Sequence, residues 1–360
     1  MHLSRLPSGH WRVAVKHHGR RRTATARTKG EATQLGAELL LELGATPRAA
    51  TVTVTELLAT WLAASELSIT FRADAVRVID RLPAEFTARR LSNVTPAVIE
   101  ALYRQLKREG WSPHRIGRAH TALSSSWSLA LRYEWAAVNP FQAAKAPAVP
   151  AVKVQPPDQS QVATLLAAAD ERLVLYLLVS ATIGARRGEV VALQWPDIAD
   201  TAIVVRRSLA YAPGQGVQVT EGKTGPKGHR VVAIDDELAA ALRAHRVEQV
   251  AMALAAGLPA PVWLFSHDAG VHPWRPDFAT REFARLRAKT GVDPSVKMRD
   301  LRHYVATQLL AAGVPLKTVG DRLGHRQLST TSDVYGAYVP AADQAAAEIM
   351  GALRTKRSAQ

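Results

Sequence analysis

Thr182-Ile183-Gly184-Ala185-Arg186-Arg187-Gly188-Glu189 is the stretch on which the interpretation of this 360-residue sequence depends. It follows an apolar run over residues 173–182 whose pattern predicts a helix. A packed domain does not need two arginines and an acid directly after such a helix. Three further segments of the C-terminal half carry comparable polar groups: Glu221-Gly222-Lys223-Thr224-Gly225, Asp300-Leu301-Arg302-His303, and Leu323-Gly324-His325 with Thr330-Thr331-Ser332-Asp333-Val334-Tyr335. These four segments are therefore the candidates for chemistry.

The four segments, taken in order, resemble the signatures of the tyrosine recombinase or phage integrase family. The first, continued by Leu193-Gln194-Trp195-Pro196-Asp197-Ile198, is similar to the opening signature of that family, and residues 221–225 are similar to its Lys-Thr hairpin. The segments that end at Tyr335 match its closing signatures in order and spacing. The resemblance implies a site-specific DNA recombinase, which cuts and rejoins strands through a 3′-phosphotyrosine intermediate to integrate or excise a mobile element.

A phosphodiester resists nucleophiles because it is an anion, so its cleavage requires cations that neutralise the charge growing on the non-bridging oxygens. Guanidinium groups do this well, since they are planar, bidentate donors that keep their charge. The resemblance assigns Arg186 and Arg302, here called the clamp arginines, to the scissile phosphate. It makes Tyr335 the nucleophile, Lys223 the donor of a proton to the leaving 5′ oxygen, and His325 a hydrogen-bonding or proton-moving group.

Neighbouring residues compete with these assignments: Arg187 with Arg186, Lys227 with Lys223, and Tyr338 with Tyr335. The family spacing favours Arg186 and Tyr335. Lys223 and Lys227 both lie in a loop, where either lysine could be a phosphate contact only.

Arg299 stands where the family most often has histidine, three residues before the second clamp arginine. Arginine cannot act as a general base at neutral pH because it stays protonated. We expect Arg299 to donate a further hydrogen bond to the phosphate, which leaves tyrosine deprotonation to water or His325; an Arg299 that simply faces solvent is the alternative. Nearby, Glu189 is expected to orient Arg186 or cap its helix, and His303 to be a buried structural histidine.

No cofactor is expected, because a phosphotyrosine conserves the bond energy without ATP or a metal. The absence of cysteine excludes disulfides, thiolate metal sites and cysteine nucleophiles. His267, Asp268 and His272 superficially resemble metal ligands, but their Gly- and Pro-containing loop has no matching partner motif, so no metal is assigned.

The charge balance indicates the kind of partner. The sequence has 46 Lys and Arg against 31 Asp and Glu, a formal net charge of +15, which is expected when the partner is a polyanion such as nucleic acid. It contains no run of about 18 apolar residues and no signal-peptide pattern. We therefore expect no membrane partner and a cytoplasmic location, associated with the bacterial nucleoid when DNA is bound.

Residues 1–48 predict a small β-sheet packed on one helix, which looks like the arm-type DNA-binding module of many phage integrases. Trp11, Val13 and Val15 alternate with other residues as in a half-buried strand, a second strand is expected to end near Arg27, and a helix is expected over residues 29–43. A solvated face without a partner is the alternative to DNA binding. The candidate DNA-binding residues are Arg12, Lys16, Arg20, Arg21, Arg22 and Arg27.

Residues 51–140 repeat apolar side chains at three- and four-residue spacing, which predicts four helices. This region looks like the helical core-binding domain of the family. Trp111, Trp127 and Trp135 are expected in its core. The other faces of these helices carry basic residues that could clamp a phosphate backbone: Arg72, Arg77, Arg81, Arg104, Lys107, Arg115, Arg118 and Arg132.

The Pro- and Ala-rich residues 141–157 predict a linker, followed by a catalytic domain over 158–340 and a C-terminal helix and tail over 341–360. Asp158 is expected to cap the first catalytic helix. Short strands are expected near residues 203–206, 217–220 and 230–234. The expected fold class is mainly α with small β-sheets (α+β), in a multidomain chain with a β-sheet plus helix arm-binding module, a helical core-binding (SAM-like) domain and a tyrosine recombinase catalytic domain.

The resemblance also implies partners. Double-stranded DNA attachment sites and a homotetramer on DNA are expected, with an excisionase-type directionality factor and a host DNA-bending protein as further candidates. Residues 341–353 are Ala-rich and amphipathic, so they are expected to dock on a neighbouring protomer. Two other functions stay open: a type IB topoisomerase-like enzyme, which uses the same side chains, and a non-enzymatic DNA-binding regulator, which would not need Tyr335.

Overall fold

The computed structural model describes residues 1–17, 20–43, 51–149, 156–220 and 229–324. The chain forms two compact units, Met1–Val152 and Lys153–Gln360. The boundary between these units falls within the segment predicted to be a linker. The finer division into five segments stays a prediction.

The first unit starts with a small antiparallel sheet and one helix. Its elements are β1 (His2–Arg5), β2 (Trp11–His17), β3 (Arg20–Ala26) and α1 (Lys29–Leu43). β2 lies in the middle and pairs with both other strands. Val13 and Val15 of β2 are buried and pack with Ala32 of α1. The predicted strands and helix are confirmed, and β1 is an additional strand that the sequence pattern did not predict.

The rest of the first unit is helical. It contains α2 (Val54–Ala64), α3 (Ile69–Ile79), α4 (Ala84–Thr87), α5 (Pro96–Arg108) and α6 (Pro113–Arg132). The four predicted helices are α2, α3, α5 and α6, and each begins where a Ser or Thr side chain accepts a hydrogen bond from a first-turn backbone N–H. Trp111 and Trp127 lie in the shared core, as predicted, whereas Trp135 packs against it half-buried.

The second unit contains more helices and two small sheets. Its helices are α7 (Gln159–Ala168), α8 (Glu171–Ile183), α9 (Arg187–Val190), α10 (Asp236–Ala255), α11 (Pro276–Thr290), α12 (Asp300–Ala311) and α13 (Leu316–Leu323). Its strands are β4 (Ala202–Val205), β5 (Ser208–Ala212), β6 (Gly216–Thr220) and β7 (Arg230–Ala233). β4 pairs with β7, and β5 with β6, each pair antiparallel. Asp158 caps α7, as predicted, and β5 is again an additional strand.

Both units are therefore built mainly of helices with small sheets, which confirms the predicted fold class. Within the described ranges, none of the helices combines the length and the apolar character that crossing a bilayer would require.

The central helix of the second unit is α8, because side chains on all of its sides are buried. It ends at Gly184, whose φ of 61° lies in the left-handed region that favours glycine. A Cβ at this position would lie 2.6 Å from Leu323 Cδ2 and 3.2 Å from Val305 Cγ1. Glycine thus lets the chain leave α8 directly against α12 and α13, so the first signature lies beside the helix that begins at Asp300 and the helix that ends at Leu323.

Candidate active site

The first clamp arginine, Arg186, lies in the short loop between α8 and α9. Its backbone N–H donates to Glu189 Oε2 at 2.9 Å, and its Nη1 donates to Glu189 Oε1 at 2.8 Å. One carboxylate therefore holds both the backbone and the side chain of Arg186, which confirms the expected orienting and capping role of Glu189. The Arg186 side chain is 34% exposed, so it remains accessible to an anion.

Glu189 is itself buried between two arginines. Its side chain is 6% exposed, and Arg230 Nη2 donates to its Oε2 at 2.7 Å. Burial raises the pKa of the Glu189 carboxyl, but the Arg230 guanidinium, the Arg186 backbone N–H and the Arg186 charge together hold this pKa below its ordinary value of 4.5. Glu189 is therefore ionised at neutral pH, and the group formed with Arg186 and Arg230 keeps one net positive charge.

The second clamp arginine, Arg302, lies in the first turn of α12. Its Nη1 donates to the carbonyl oxygen of Gly184 at 2.8 Å, across a sequence separation of 118 residues. Gly184 precedes Arg186 by two residues. The structure thus anchors both clamp arginines at the loop that follows α8.

Arg299 and His303 flank Arg302 at the start of α12. The Arg299 side chain is 66% exposed, and its Nε lies 3.4 Å from Asp300 Oδ1. His303 is half-buried rather than buried. Burial lowers its pKa, the Asp300 carboxylate opposes this effect, and the charges of Arg299 and Arg302 add to it. Its imidazole is therefore neutral at neutral pH.

The remaining predicted catalytic residues lie outside the described residues. These are Lys223, His325 and Tyr335, with the competitors Lys227 and Tyr338; residues 341–353 are outside as well. Gly324, which directly precedes His325, is described and ends α13 with a φ of 72°. A Cβ on Gly324 would lie 2.9 Å from Arg230 Nη1, so this glycine packs against the Arg230 guanidinium.

The sequence interpretation missed two arginines that join these segments. Arg230, at the start of β7, is 7% exposed and donates from Nε to the Arg322 carbonyl oxygen at 2.8 Å. Arg322 Nη2 donates to the carbonyl oxygens of Thr182, at 2.8 Å, and Ala233, at 3.1 Å. Neither arginine stands out in the sequence as a candidate, because its partners are far away along the chain.

In the loop with His267, Asp268 and His272, these side chains contact other groups of the protein. Asp268 accepts from Ser266 Oγ and is hydrogen-bonded to His272 Nδ1, both at 2.6 Å, while His267 packs edge-on against Phe278. Over the ranges that the structure describes, no three or more His, Asp or Glu side chains are grouped so as to hold a metal ion.

Comparison with known proteins bears on the segments that meet at this site. The model of the phage integrase family matches residues 158–340, just over half of the chain. The chain belongs to the phage integrase family. It is accordingly a tyrosine recombinase, a DNA strand-transferase, as the resemblance of its signatures implied.

Relatives of this phage integrase family member align with about two thirds of its length. The tyrosine recombinase XerC 2 of Ralstonia nicotianae is 30% identical over 265 residues, which are 67% of this chain and 68% of that protein. The ICEBs1 integrase of Bacillus subtilis is 27% identical over 260 residues, 69% of this chain and 68% of that protein. The crystal structure of a lambda integrase tetramer bound to a Holliday junction has the same fold, with a TM-score of 0.61 at 18% identity, over 93% of this chain and 95% of that one.

A basic cleft lies between α3 and α6 in the first unit of this recombinase. It has a volume of about 720 Å³. Asp74 accepts from Arg118 Nη1 at 2.8 Å and from Arg77 Nη2 at 3.3 Å. The Arg115 guanidinium lies 3.7 Å from the centre of the Trp111 ring. Three of its arginines therefore have a defined partner. The lining residues are Asp74, Arg77, Val78, Arg81, Ser112, His114, Arg115 and Arg118.

The N-terminal sheet of the recombinase divides its candidate DNA-binding residues between two faces. Arg12 lies opposite Thr25 and Lys16 opposite Arg21, so Arg12, Lys16 and Arg21 share one exposed face. Arg22 lies opposite the buried Val15 and therefore belongs to the other face. Arg27 is exposed just beyond β3, and the side chain of Arg20 lies outside the described part of the chain.

The Glu189→Gln substitution is expected to destabilise the second unit by about 3 kcal/mol at neutral pH, because it removes the carboxylate that pairs with the buried Arg230 and the partly buried Arg186. Since the folded state lowers the pKa of Glu189, this stabilisation is complete above the unfolded pKa and is lost as the pH falls through the folded pKa. The difference in unfolding free energy between wild type and variant should therefore stay constant down to about pH 5 and shrink below it. Urea unfolding at a series of pH values measures it.

Glu282→Gln is the matched control, because Glu282 pairs with Arg285 at the same three-residue spacing but on the surface. We expect it to cost less than about 1 kcal/mol. Equal losses of unfolding free energy in the two variants would show that the burial of Glu189 between Arg186 and Arg230 adds nothing to its stabilising effect.

Proposed function

We propose that this recombinase integrates or excises a mobile DNA element by moving strands through a 3′-phosphotyrosine on Tyr335. The observation that carries the proposal is the anchoring of both clamp arginines at one loop, where Arg302 binds the Gly184 carbonyl and Glu189 holds Arg186. Two cations fixed at one place are what a phosphodiester needs as charge grows on its non-bridging oxygens. The exposed part of Arg186 is available to bind that phosphate.

In the proposed reaction, the Tyr335 hydroxyl oxygen attacks phosphorus while its proton passes to water or to His325. The bond between phosphorus and the 5′ oxygen breaks, and Lys223 protonates that oxygen as it leaves. One phosphodiester bond is exchanged for one phosphotyrosine bond. The 5′ hydroxyl of another strand then attacks the phosphotyrosine, which restores a phosphodiester and frees Tyr335.

The Tyr335→Phe variant should form no covalent adduct with DNA and should bind DNA as tightly as wild type, because only the nucleophilic hydroxyl is removed. The adduct is measured on denaturing gels after incubation with a nicked suicide DNA that carries the attachment core. Tyr338→Phe is the matched control and should keep the adduct. An adduct kept by Y335F and lost in Y338F would move the nucleophile to Tyr338. Tight DNA binding by wild type without any adduct would favour the DNA-binding regulator.

Arg299 is proposed as a third donor to the phosphate. Its exposed guanidinium lies at the start of α12, three residues before Arg302. Its permanent charge would also favour the ionised form of the attacking Tyr335. These two effects would supply part of what a histidine provides at this position in other members of the family.

The Arg299→His substitution should slow strand cleavage about ten-fold, because a charge-assisted hydrogen bond contributes about 1.5 kcal/mol or more. Single-turnover cleavage of the suicide DNA at saturating concentration measures the rate. Arg285→His is the control, since Arg285 is an exposed arginine of α11 that pairs with Glu282. Faster cleavage by R299H would contradict an active role for Arg299.

Duplex DNA attachment sites are the proposed ligands of both basic surfaces of the first unit. In the α3–α6 cleft, Arg77 and Arg118 are 70% and 63% exposed, yet Asp74 fixes their directions. Arginines with fixed directions can contact phosphates or base edges without first losing side-chain freedom. On the sheet, the face with Arg12, Lys16 and Arg21 is proposed to contact arm sites, and Arg20, Arg22 and Arg27 are proposed as further DNA contacts.

Four protomers are proposed to act on two DNA sites, in keeping with the tetrameric lambda integrase complex that shares this fold. Residues 341–353 are proposed to dock on a neighbouring protomer. An excisionase-type directionality factor and a host DNA-bending protein are proposed as further partners.

The Asp74→Asn variant should bind nonspecific DNA more tightly and discriminate less between sequences. The substitution adds one net positive charge to the cleft, which should steepen the dependence of log affinity on log salt by about one unit. It also releases Arg77 and Arg118, so the ratio of specific to nonspecific affinity should fall about ten-fold, the size of one oriented arginine contact. Fluorescence anisotropy with core-site and scrambled duplexes measures both quantities.

Asp80→Asn makes the same charge change at an exposed position at the end of α3. It should steepen the salt dependence less and leave the specificity ratio unchanged. An equal loss of specificity in D80N would assign the effect to net charge alone and remove the orienting role of Asp74.

A further inference from the structure

Arg230 contacts the chain segments that carry two of the recombinase signatures. We propose that Arg230 is a positioning residue that keeps the group of Arg186 and Glu189 net positive toward the scissile phosphate and fixes the turn that leads to His325. This inference rests on the proposed roles of Arg186 and His325. The observations that support the inference are the burial of Arg230 and its contacts with Glu189, Arg322 and Gly324.

The first step is electrostatic. Glu189 is needed to orient Arg186, but a buried carboxylate paired with Arg186 alone would cancel the charge of that arginine. Arg230 places a second guanidinium on the same carboxylate, with Nη2 2.7 Å from Oε2. The three groups together then carry one positive charge, and Arg186, 34% exposed, is the member that solvent and ligand can reach. Arg230 thus allows Arg186 to be oriented and still to attract a phosphate.

The second step is geometric. The Nε of Arg230 donates to the carbonyl oxygen of Arg322, in the last turn of α13. Gly324 lies so close to the guanidinium that a Cβ would come within 2.9 Å of Nη1 and 3.2 Å of Cζ. The side chain of Arg230 therefore supports the end of α13 directly before His325. A shorter or differently shaped side chain at this position would leave that turn without its support.

Arg230 and its partner Arg322 are also held in place by the surrounding backbone. Arg230 lies opposite Val205 in the pairing of β7 with β4, so its backbone is fixed by the sheet. Arg322, whose carbonyl Arg230 binds, donates its own guanidinium to the Thr182 and Ala233 carbonyls. Thr182 lies two residues before Gly184, the contact of Arg302. Successive hydrogen bonds therefore link Arg230 to the loop after α8, both through Glu189 and through Arg322. A displacement of Arg230 would consequently move both clamp arginines.

The test compares Arg230→Lys with wild type in single-turnover cleavage of the suicide DNA at saturating concentration. Lysine keeps the charge, but its single ammonium cannot reproduce the planar arrangement of Nε and two Nη donors. We expect cleavage to slow by about 100-fold, because a small misplacement of catalytic groups has an effect of this size. The dissociation constant for DNA should change less than about two-fold, since lysine keeps the positive charge at this position.

Arg207→Lys is the matched control in the same unit, because Arg207 is a largely buried arginine that pairs with the buried Asp197. It should lower the melting temperature as R230K does but leave the cleavage rate unchanged. A rate loss of the same size in R207K would assign the effect of R230K to general destabilisation and overturn the proposal.

A double substitution separates positioning from stability. In an Arg186→Ala background, Arg230→Lys should slow cleavage much less than it does in the wild-type background, because part of its effect acts through Arg186. Rate losses that multiply independently would overturn the proposed action of Arg230 through Arg186. If R230K does not fold, Gly324→Ala replaces it, since the added methyl displaces the Arg230 guanidinium without removing its charge. Wild-type cleavage by either G324A or R230K would overturn the geometric step.

These outcomes are distinct from failure of the proposed function. Failure of the proposed function appears as the absence of any adduct from wild-type protein. Failure of the present inference appears as a normal wild-type adduct that R230K forms equally fast.

Discussion

The buried carboxylate of Glu189 is the interaction on which the candidate site depends. An ionised group in a core is stable only when it is paired and hydrogen-bonded. Glu189 meets this requirement with Arg186, from its own loop, and Arg230, from a strand 41 residues later. The loop after α8 can hold its shape only while β7 stays in place. The geometry of the candidate site and the fold of the second unit are therefore parts of one arrangement of charges.

Backbone contacts complete this arrangement, because Gly184 and Gly324 let chain segments approach more closely than any side chain would allow. Arg302 then reaches the carbonyl of Gly184, and Arg230 reaches the carbonyl of Arg322. Hydrogen bonds from guanidiniums to carbonyl oxygens fix directions without adding an opposing charge. The site consequently gains rigidity and still presents positive charge, which is what binding of a phosphodiester requires.

The sequence predicted the signature residues and the helices, because arginines within motifs and periodic apolar positions are local signals. Arg186, Arg302 and the capping residue Asp158 could be named in this way. Arg230 and Arg322 could not, because their partners lie 41 to 140 residues away and nothing near them marks the pairing. Strand β1 contains a single apolar residue, Leu3, which is too few for an alternation, and the sequence pattern did not predict β5 either. The roles of Lys223, His325 and Tyr335 rest on the motifs, since these residues lie outside the described ranges.

The chain twice places one carboxylate between two arginines, once in a buried position and once in a more exposed one. Glu189 and Asp74 each bind two arginines, and each pair of arginines keeps one net positive charge. Glu189 is 6% exposed, whereas Asp74 is 15% exposed and lines an open cleft with Arg77 and Arg118. A phosphate at the cleft would therefore meet the repulsion of Asp74 as well as the attraction of the arginines, and only a ligand that fits the directed donors would gain more than it loses. At the candidate active site the acid is buried behind its arginines, so a phosphate would lie closer to the Arg186 guanidinium than to the carboxylate and would meet a net attraction. Under the proposed functions, this difference in depth would separate selection of a DNA sequence at the cleft from reaction at any phosphate that is placed in the active site.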